Sequence, residues 1–128
     1  MIKGFEHAAI AARDSRKLAD WYRELFDLKV VYDDKKSSPT YLLQAPDGTV
    51  IEILPAVNGQ SAAYDQQLIG FRHLALTVED IEAALARLRE NGVNEFFDDR
   101  GSDTFRLVFF RDPEGNLLHL MWRSKPLG

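Results

Sequence analysis

The chain of 128 residues contains no cysteine. That single absence excludes disulfide frameworks, thiolate zinc sites, iron–sulfur ligation and a cysteine nucleophile. Any metal would be held by nitrogen and oxygen. No apolar run approaches the roughly 18 residues needed to span a bilayer. The charged opening Met1-Ile2-Lys3-Gly4-Phe5-Glu6-His7 has no signal-peptide core, so a cytoplasmic protein with no membrane partner is expected. A strong charge of one sign is missing too: 16 basic against 20 acidic side chains give −4, a mild solubility charge and no electrostatic footprint for nucleic acid. There is no phosphate loop, dinucleotide fingerprint or HExxH segment. What is present, 45% hydrophobic and 28% charged residues, is the composition of a folded protein. The length suits one compact unit or two small modules sharing a core.

The dominant feature is an internal repeat, which has to be found before the architecture can be read. Gly4-Phe5-Glu6-His7-Ala8-Ala9-Ile10 returns 66 positions later as Gly70-Phe71-Arg72-His73-Leu74-Ala75-Leu76. The turn and strand Pro46-Asp47-Gly48-Thr49-Val50-Ile51-Glu52-Ile53-Leu54 returns 67 positions later as Pro113-Glu114-Gly115-Asn116-Leu117-Leu118-His119-Leu120-Met121. Two blocks in the same order, with nearly equal offsets, indicate a duplicated module.

Each copy reads as strand, helix and three strands. In the first, an apolar stretch over 4–12 ends at the N-cap candidate Asp14. Leu18, Trp21, Tyr22, Leu25 and Phe26 then follow at the spacing of an amphipathic helix over 14–27, with these side chains as its buried face. Strands are predicted near 28–34, 38–45 and 49–54. The second copy has a strand over 70–78, a helix over 80–91 stopped by Asn91-Gly92, and strands near 93–99, 104–111 and 116–122. Gly48 and Gly115 read as hairpin glycines at positive φ. Module one is thus 1–54, a linker covers 55–69, and module two is 70–128.

All three histidines fall in the repeated blocks. His7 and His73 hold equivalent positions at the first strand, and Glu52 and His119 hold equivalent positions in the last. Strand alternation sets Glu52 in one row with Val50 and Leu54, and His119 in one row with Leu117 and Met121. Taken singly, a strand glutamate usually faces solvent and an apolar-face histidine is usually a hydrogen-bonded core residue. Neither reading explains why all four occupy duplicated positions, so His7, Glu52, His73 and His119 are taken together as a metal site. Three neutral imidazoles and one carboxylate suit zinc, nickel, cobalt, manganese or ferrous iron. Coordination number stays open between a closed tetrahedral site and an octahedral one with free positions.

The two Gly-Phe-X-His strand starts, the helix segment Trp21-Tyr22-Arg23-Glu24-Leu25-Phe26 and the hairpin Asp112-Pro113-Glu114-Gly115-Asn116-Leu117-Leu118 resemble the vicinal oxygen chelate superfamily. That group contains glyoxalase I, methylmalonyl-CoA epimerase, extradiol dioxygenases and the fosfomycin and bleomycin resistance proteins. The resemblance spans essentially the whole chain. It implies an α+β fold of two tandem βαβββ modules, in one domain over 1–128, whose curved mixed sheets enclose a metal-binding cleft. It implies ligands from the first and last strand of each module, again His7, Glu52, His73 and His119, and a homodimer in which each site combines modules from both subunits. At 119 the sequence departs from glyoxalase-like relatives, which usually carry a second glutamate, and Glu52 is left as the one expected proton carrier.

The leading expectation is therefore a metal-dependent glyoxalase-type lyase or isomerase acting on a small substrate with vicinal oxygens. The alternative is a protein that binds a drug or other small molecule without chemistry, as bleomycin-resistance relatives do. A ferrous dioxygenase or a fosfomycin-type transferase is a weaker fit. Tyr41, Arg106, Phe109 and Arg111 are expected on strands that help line the cavity; either arginine could hold a carboxylate or phosphate, although a strand arginine more often lies on a solvated edge. The mixed clusters Asp33-Asp34-Lys35-Lys36 and Asp98-Asp99-Arg100 read as solvated loops.

Overall fold

In the computed structural model, residues 1–58 and 69–128 are described. The chain divides into two compact units, Met1–Gln60 and Ser61–Gly128. The predicted linker over 55–69 falls mainly on residues 59–68, outside the described ones.

The first unit contains β1 (Ala8–Ala12), α1 (Ser15–Phe26), β2 (Lys29–Asp33), β3 (Tyr41–Gln44) and β4 (Val50–Pro55). The second contains β5 (Leu74–Thr77), α2 (Ile81–Glu90), β6 (Phe97–Gly101), β7 (Phe105–Arg111) and β8 (Leu117–Arg123). Each forms a mixed four-stranded sheet, ordered β1-β4-β3-β2 and β5-β8-β7-β6. The first and last strands pair in parallel and the others antiparallel. The repeat thus folds as two copies of one topology, as the α+β reading requires.

The local devices are duplicated as well. Asp14 accepts a hydrogen bond from the Lys17 amide at 3.0 Å, and Asp80 accepts one from the Ala83 amide at 3.0 Å. Each carboxylate satisfies an amide that the first helical turn leaves without a partner. The two hairpins also match. Gly48 N–H donates to Ala45 O at 2.9 Å and Gly115 N–H to Asp112 O at 3.0 Å, with φ of 90° and 88°. Space is open around either Cβ position, so the left-handed backbone, and not crowding, calls for glycine there.

Alternation along the strands gives each sheet a helix face and an opposite face. Leu18, Tyr22, Leu25, Leu43, Ile51 and Ile53 are buried in the first unit, and Leu85, Leu88, Val108, Phe110, Leu118 and Leu120 in the second. Fully burying side chains of this size contributes about 1.5–3 kcal/mol each. Trp21 and Phe26, expected within the buried helix face, are only half-buried.

The strands are shorter than predicted at their starts. The stretches 4–12 and 70–78 contribute only Ala8–Ala12 and Leu74–Thr77 to the sheets. Ala8 with Ile51 and Leu74 with Leu118 are the first rungs of the two parallel ladders. His7 and His73 therefore sit just ahead of their strands and not within them. The cluster Asp98-Asp99-Arg100 lies in β6 and not in a loop, and Asp99 bonds to Arg106.

Two of the expected cavity residues lie on the helix side. Tyr41 pairs with Ile53 and shares the buried helix face. Arg106 binds Asp99 and the Glu82 carboxylate in the first turn of α2, tying that helix to the β6–β7 hairpin. Phe109 and Arg111 occupy the opposite face, in the row of His119 and Leu117.

Candidate metal centre

The first unit brings His7 and Glu52 together. Glu52 is opposite Ala9 in the β1–β4 ladder, and His7, two residues before Ala9, projects to the same face. Its Nε2 lies 3.8 Å from Glu52 Oε2. Its Nδ1 meets the Glu6 carboxylate. A carboxylate only accepts, so Nδ1 is the donor to Glu6, and Nε2 faces Glu52. The Glu6 hydrogen bond, and then the charges of Glu6 and Glu52, raise the His7 pKa above its ordinary value, against the opposing effect of desolvation. The site is wet: the two side chains keep 35% and 25% of their exposure.

The second unit brings His73 and His119 together. Ala75 is opposite His119 in the β5–β8 ladder, and the two imidazoles lie with ring centroids 4.8 Å apart. His119 is buried, at 5% exposure. Its Nδ1 lies 3.2 Å from Leu120 O. A carbonyl oxygen also only accepts, so Nδ1 is the donor there. Burial is the main reason that its pKa falls below the ordinary value. The Leu120 carbonyl partly opposes this, and the charges of His73, Arg123 and Arg100 reinforce it.

Among the described residues no group of three or more His, Asp or Glu side chains is gathered to hold one ion. The four predicted ligands stand as two pairs, one in each unit. The donor chemistry of the pairs fits a divalent transition ion. His7 and His119 each have Nδ1 against an oxygen, Glu6 and Leu120 O, as metal-ligating histidines do, and Glu52 adds a carboxylate. A set richer in nitrogen than oxygen disfavours magnesium and calcium.

An aromatic neighbourhood surrounds the second pair, built on the expected Phe109 and on Phe97, which was not singled out in the sequence. Phe109 packs on both rings, with centroids 5.6 Å from His73 and 4.8 Å from His119. Phe97 stacks on Phe109 at 5.9 Å and 24°. Leu107, Phe109 and Leu117 form a buried cluster with Phe105 and Met121 against it. The available signal was alignment with the repeat: the row Tyr32, Leu42, Glu52, Ala9 of the first sheet corresponds to Phe97, Phe109, His119, Ala75 of the second. The carboxylate acting on His7 from Glu6 was also missed, because the repeat has Arg72 at that position.

No curated protein sequence matches the chain. Solved structures do. A glyoxylase/bleomycin resistance protein/dioxygenase domain from Frankia sp. EAN1pec aligns with a TM-score of 0.79 at 21% identity, over 99% of this chain and 96% of that one. The genomically encoded fosfomycin resistance protein FosX from Listeria monocytogenes, complexed with Mn(II) and sulfate ion, aligns at 0.73 and 20% identity, over 97% and 93%. TnmS3, an antibiotic binding protein from Streptomyces sp. CB03234, aligns at 0.73 and 21% identity, over 96% and 98%. At these identities the likeness is one of fold. Residues 4–120 match a family description directly, and the chain belongs to the Glyoxalase/Bleomycin resistance protein/Dioxygenase superfamily.

Proposed function

We propose that His7 and Glu52 of the first unit and His73 and His119 of the second supply the ligands of one divalent metal ion, in a homodimer, and that the protein is a glyoxalase-type lyase or isomerase. The observation that carries this reading is that each unit brings its two equivalent repeat positions together, His7 Nε2 at 3.8 Å from Glu52 Oε2 and the His73 and His119 rings with centroids 4.8 Å apart. The Mn(II) complex of FosX supports a divalent ion. Phe5 and Phe71, equivalent in the repeat and fully exposed beside their histidines, support association of two chains.

When bound, a divalent ion would supply Lewis acidity toward two neighbouring oxygens of a substrate. Proton transfer then falls to this chain's own groups. Glu52 is the one carboxylate in the set, and its Oε atoms take the proton from the carbon beside the carbonyl and return it to the neighbouring carbon. His119 cannot share that task, because Nδ1 is held by Leu120 O and Nε2 is the ligating atom. The imidazoles position and the glutamate moves the proton.

Metal analysis of the purified protein, paired with isomerisation of a ketoaldehyde–thiol adduct, tests the reading. About one equivalent of metal per chain, lost in His73→Ala, and turnover lost in Glu52→Gln are expected. Metal-free protein with no turnover that tightly binds a planar antibiotic would instead establish binding without chemistry, a reading favoured by the Phe97–Phe109 stack and by the fold shared with TnmS3.

A further inference from the structure

The two units differ in the residue that stands ahead of each first-strand histidine. In a strand, neighbouring side chains point to opposite faces, so a residue does not reach the one that follows it. Glu6 and His7 both precede the first rung of the β1–β4 ladder, Ala8 with Ile51, and escape that rule. The Glu6 carboxylate turns onto its neighbour and accepts from His7 Nδ1. At the repeated position Arg72 makes other contacts: its Nε and Nη2 donate to Gly70 O and Ile69 O, each at 3.3 Å. The second unit has the same topology without a carboxylate there, so the fold itself does not call for the Glu6 contact.

The consequence falls on the imidazole. His119 sits inside β8, buried, with Nδ1 on the Leu120 carbonyl, so backbone and packing orient its ring. His7 lies outside the ladder and is exposed, and its ring takes its orientation from a side-chain partner. An exposed carboxylate–imidazole contact adds little to folding, and the Glu6 side chain keeps 79% of its exposure. What the contact supplies is direction: with Nδ1 committed to Glu6, Nε2 faces Glu52 at 3.8 Å. That gap is too long for a hydrogen bond, yet short enough for one ion with ligand distances of about 2.0–2.2 Å to bridge.

We propose that Glu6 is a positioning residue, which holds the His7 ring so that Nε2 faces the Glu52 carboxylate already in the metal-free protein. Its effect on metal affinity rests on the function proposed above, whereas its effect on the ring does not. A carboxylate that accepts from the second nitrogen of a ligating histidine fixes the tautomer and raises the basicity of the ligating nitrogen, and its loss costs about 10–100-fold in affinity. Glu6 thus does for the exposed histidine of the first unit what burial and a backbone carbonyl do for His119 in the second.

The test uses the full-length protein, first without metal and then with zinc as the probe. In proton–nitrogen correlation spectra of the imidazoles at about pH 9, where they are neutral, His7 of the parent should be the Nδ1–H tautomer, and Glu6→Ala should lose that preference. Zinc affinity, read by competition with a chromogenic chelator, should fall about 10–100-fold in Glu6→Ala. Glu6→Gln should lie between that variant and the parent in both measurements, because the amide oxygen still accepts from Nδ1. A merely structural role would not sort the two variants in that order. Glu24→Ala, which removes the same charge from an exposed position of α1, should change neither reading. An unchanged His7 tautomer in Glu6→Ala with its fold intact, or an equal loss of zinc affinity in Glu6→Ala and Glu24→Ala, overturns the proposal. Zinc bound equally well by the parent and Glu6→Ala overturns it too, and leaves the metal reading standing. A tautomer that depends on Glu6 in a protein that takes up no zinc leaves the positioning contact standing and overturns the metal reading.

Discussion

The two units share a topology, a cap, a hairpin and a pair of proposed ligand positions, yet they differ in charge and wetness where the pairs stand. In the first, His7 and Glu52 keep a third and a quarter of their exposure, and carboxylates raise the histidine's pKa. In the second, His119 is buried against Phe109, arginines lie nearby, and its pKa is lowered. The backbone positions match while the side chains differ: one unit places a carboxylate beside its histidine, and the other places a buried histidine in an aromatic, cationic setting. In the function proposed above, that difference is a division of chemical roles.

Variants that make the units alike, or unmake one, test that division. The largest effect is expected from Glu52→Gln, which should lower kcat/KM for the ketoaldehyde–thiol adduct about 10²–10⁴-fold. Adding His119→Glu to that variant returns a carboxylate from the other unit and should recover about tenfold. An unchanged double variant would mean that the two positions do not serve a common site. Next, His73→Ala should weaken metal binding by more than about a hundredfold, beyond the 10–100-fold typical of losing an outer-shell partner. Titration with a chromogenic chelator measures this.

Smaller effects concern folding. Asp14→Ala and Asp80→Ala should each cost about 1 kcal/mol in urea unfolding. A large inequality between them would show that the duplicated caps no longer carry equal weight.

The smallest effect is on pH dependence in the metal-free protein. His119 has a folded pKa below its unfolded value, so the unfolded chain binds more protons as the solution is acidified. Its contribution is complete above about pH 6.5 and is lost as pH falls toward the folded pKa. His7, with a raised pKa, does the opposite: its contribution is present below about pH 6.5 and is lost as pH rises through the folded pKa. His119→Phe should flatten the acid side of a stability profile and His7→Gln the alkaline side. Thermal melts from pH 5 to 8 read both.

Much of this was legible in the chain. The repeat, both helices with their Asp14 and Asp80 caps, the hairpin glycines and the pairing of His7 with Glu52 and of His73 with His119 follow from offsets and periodicity. Strand faces were harder. Alternation distinguishes two faces without saying which one meets the helix, so Tyr41 and Arg106 were expected on the wrong side. The β6 bulge then breaks the period of two, which hid Arg100 as a neighbour of Phe97 on one face. The Glu6–His7 contact depends on where the β1 ladder ends, and β1 alone does not fix that limit.

By itself the sequence determined the topology of each unit and the residue types offered to a ligand, because both depend on local periodicity and on a duplication written in register. Tertiary structure decided which oxygen each imidazole meets, which histidine is wet and which is dry, and which arginine stands over Phe97. Those properties arise from strand register, a bulge and burial, which join residues far apart in the chain and leave no periodic trace within it.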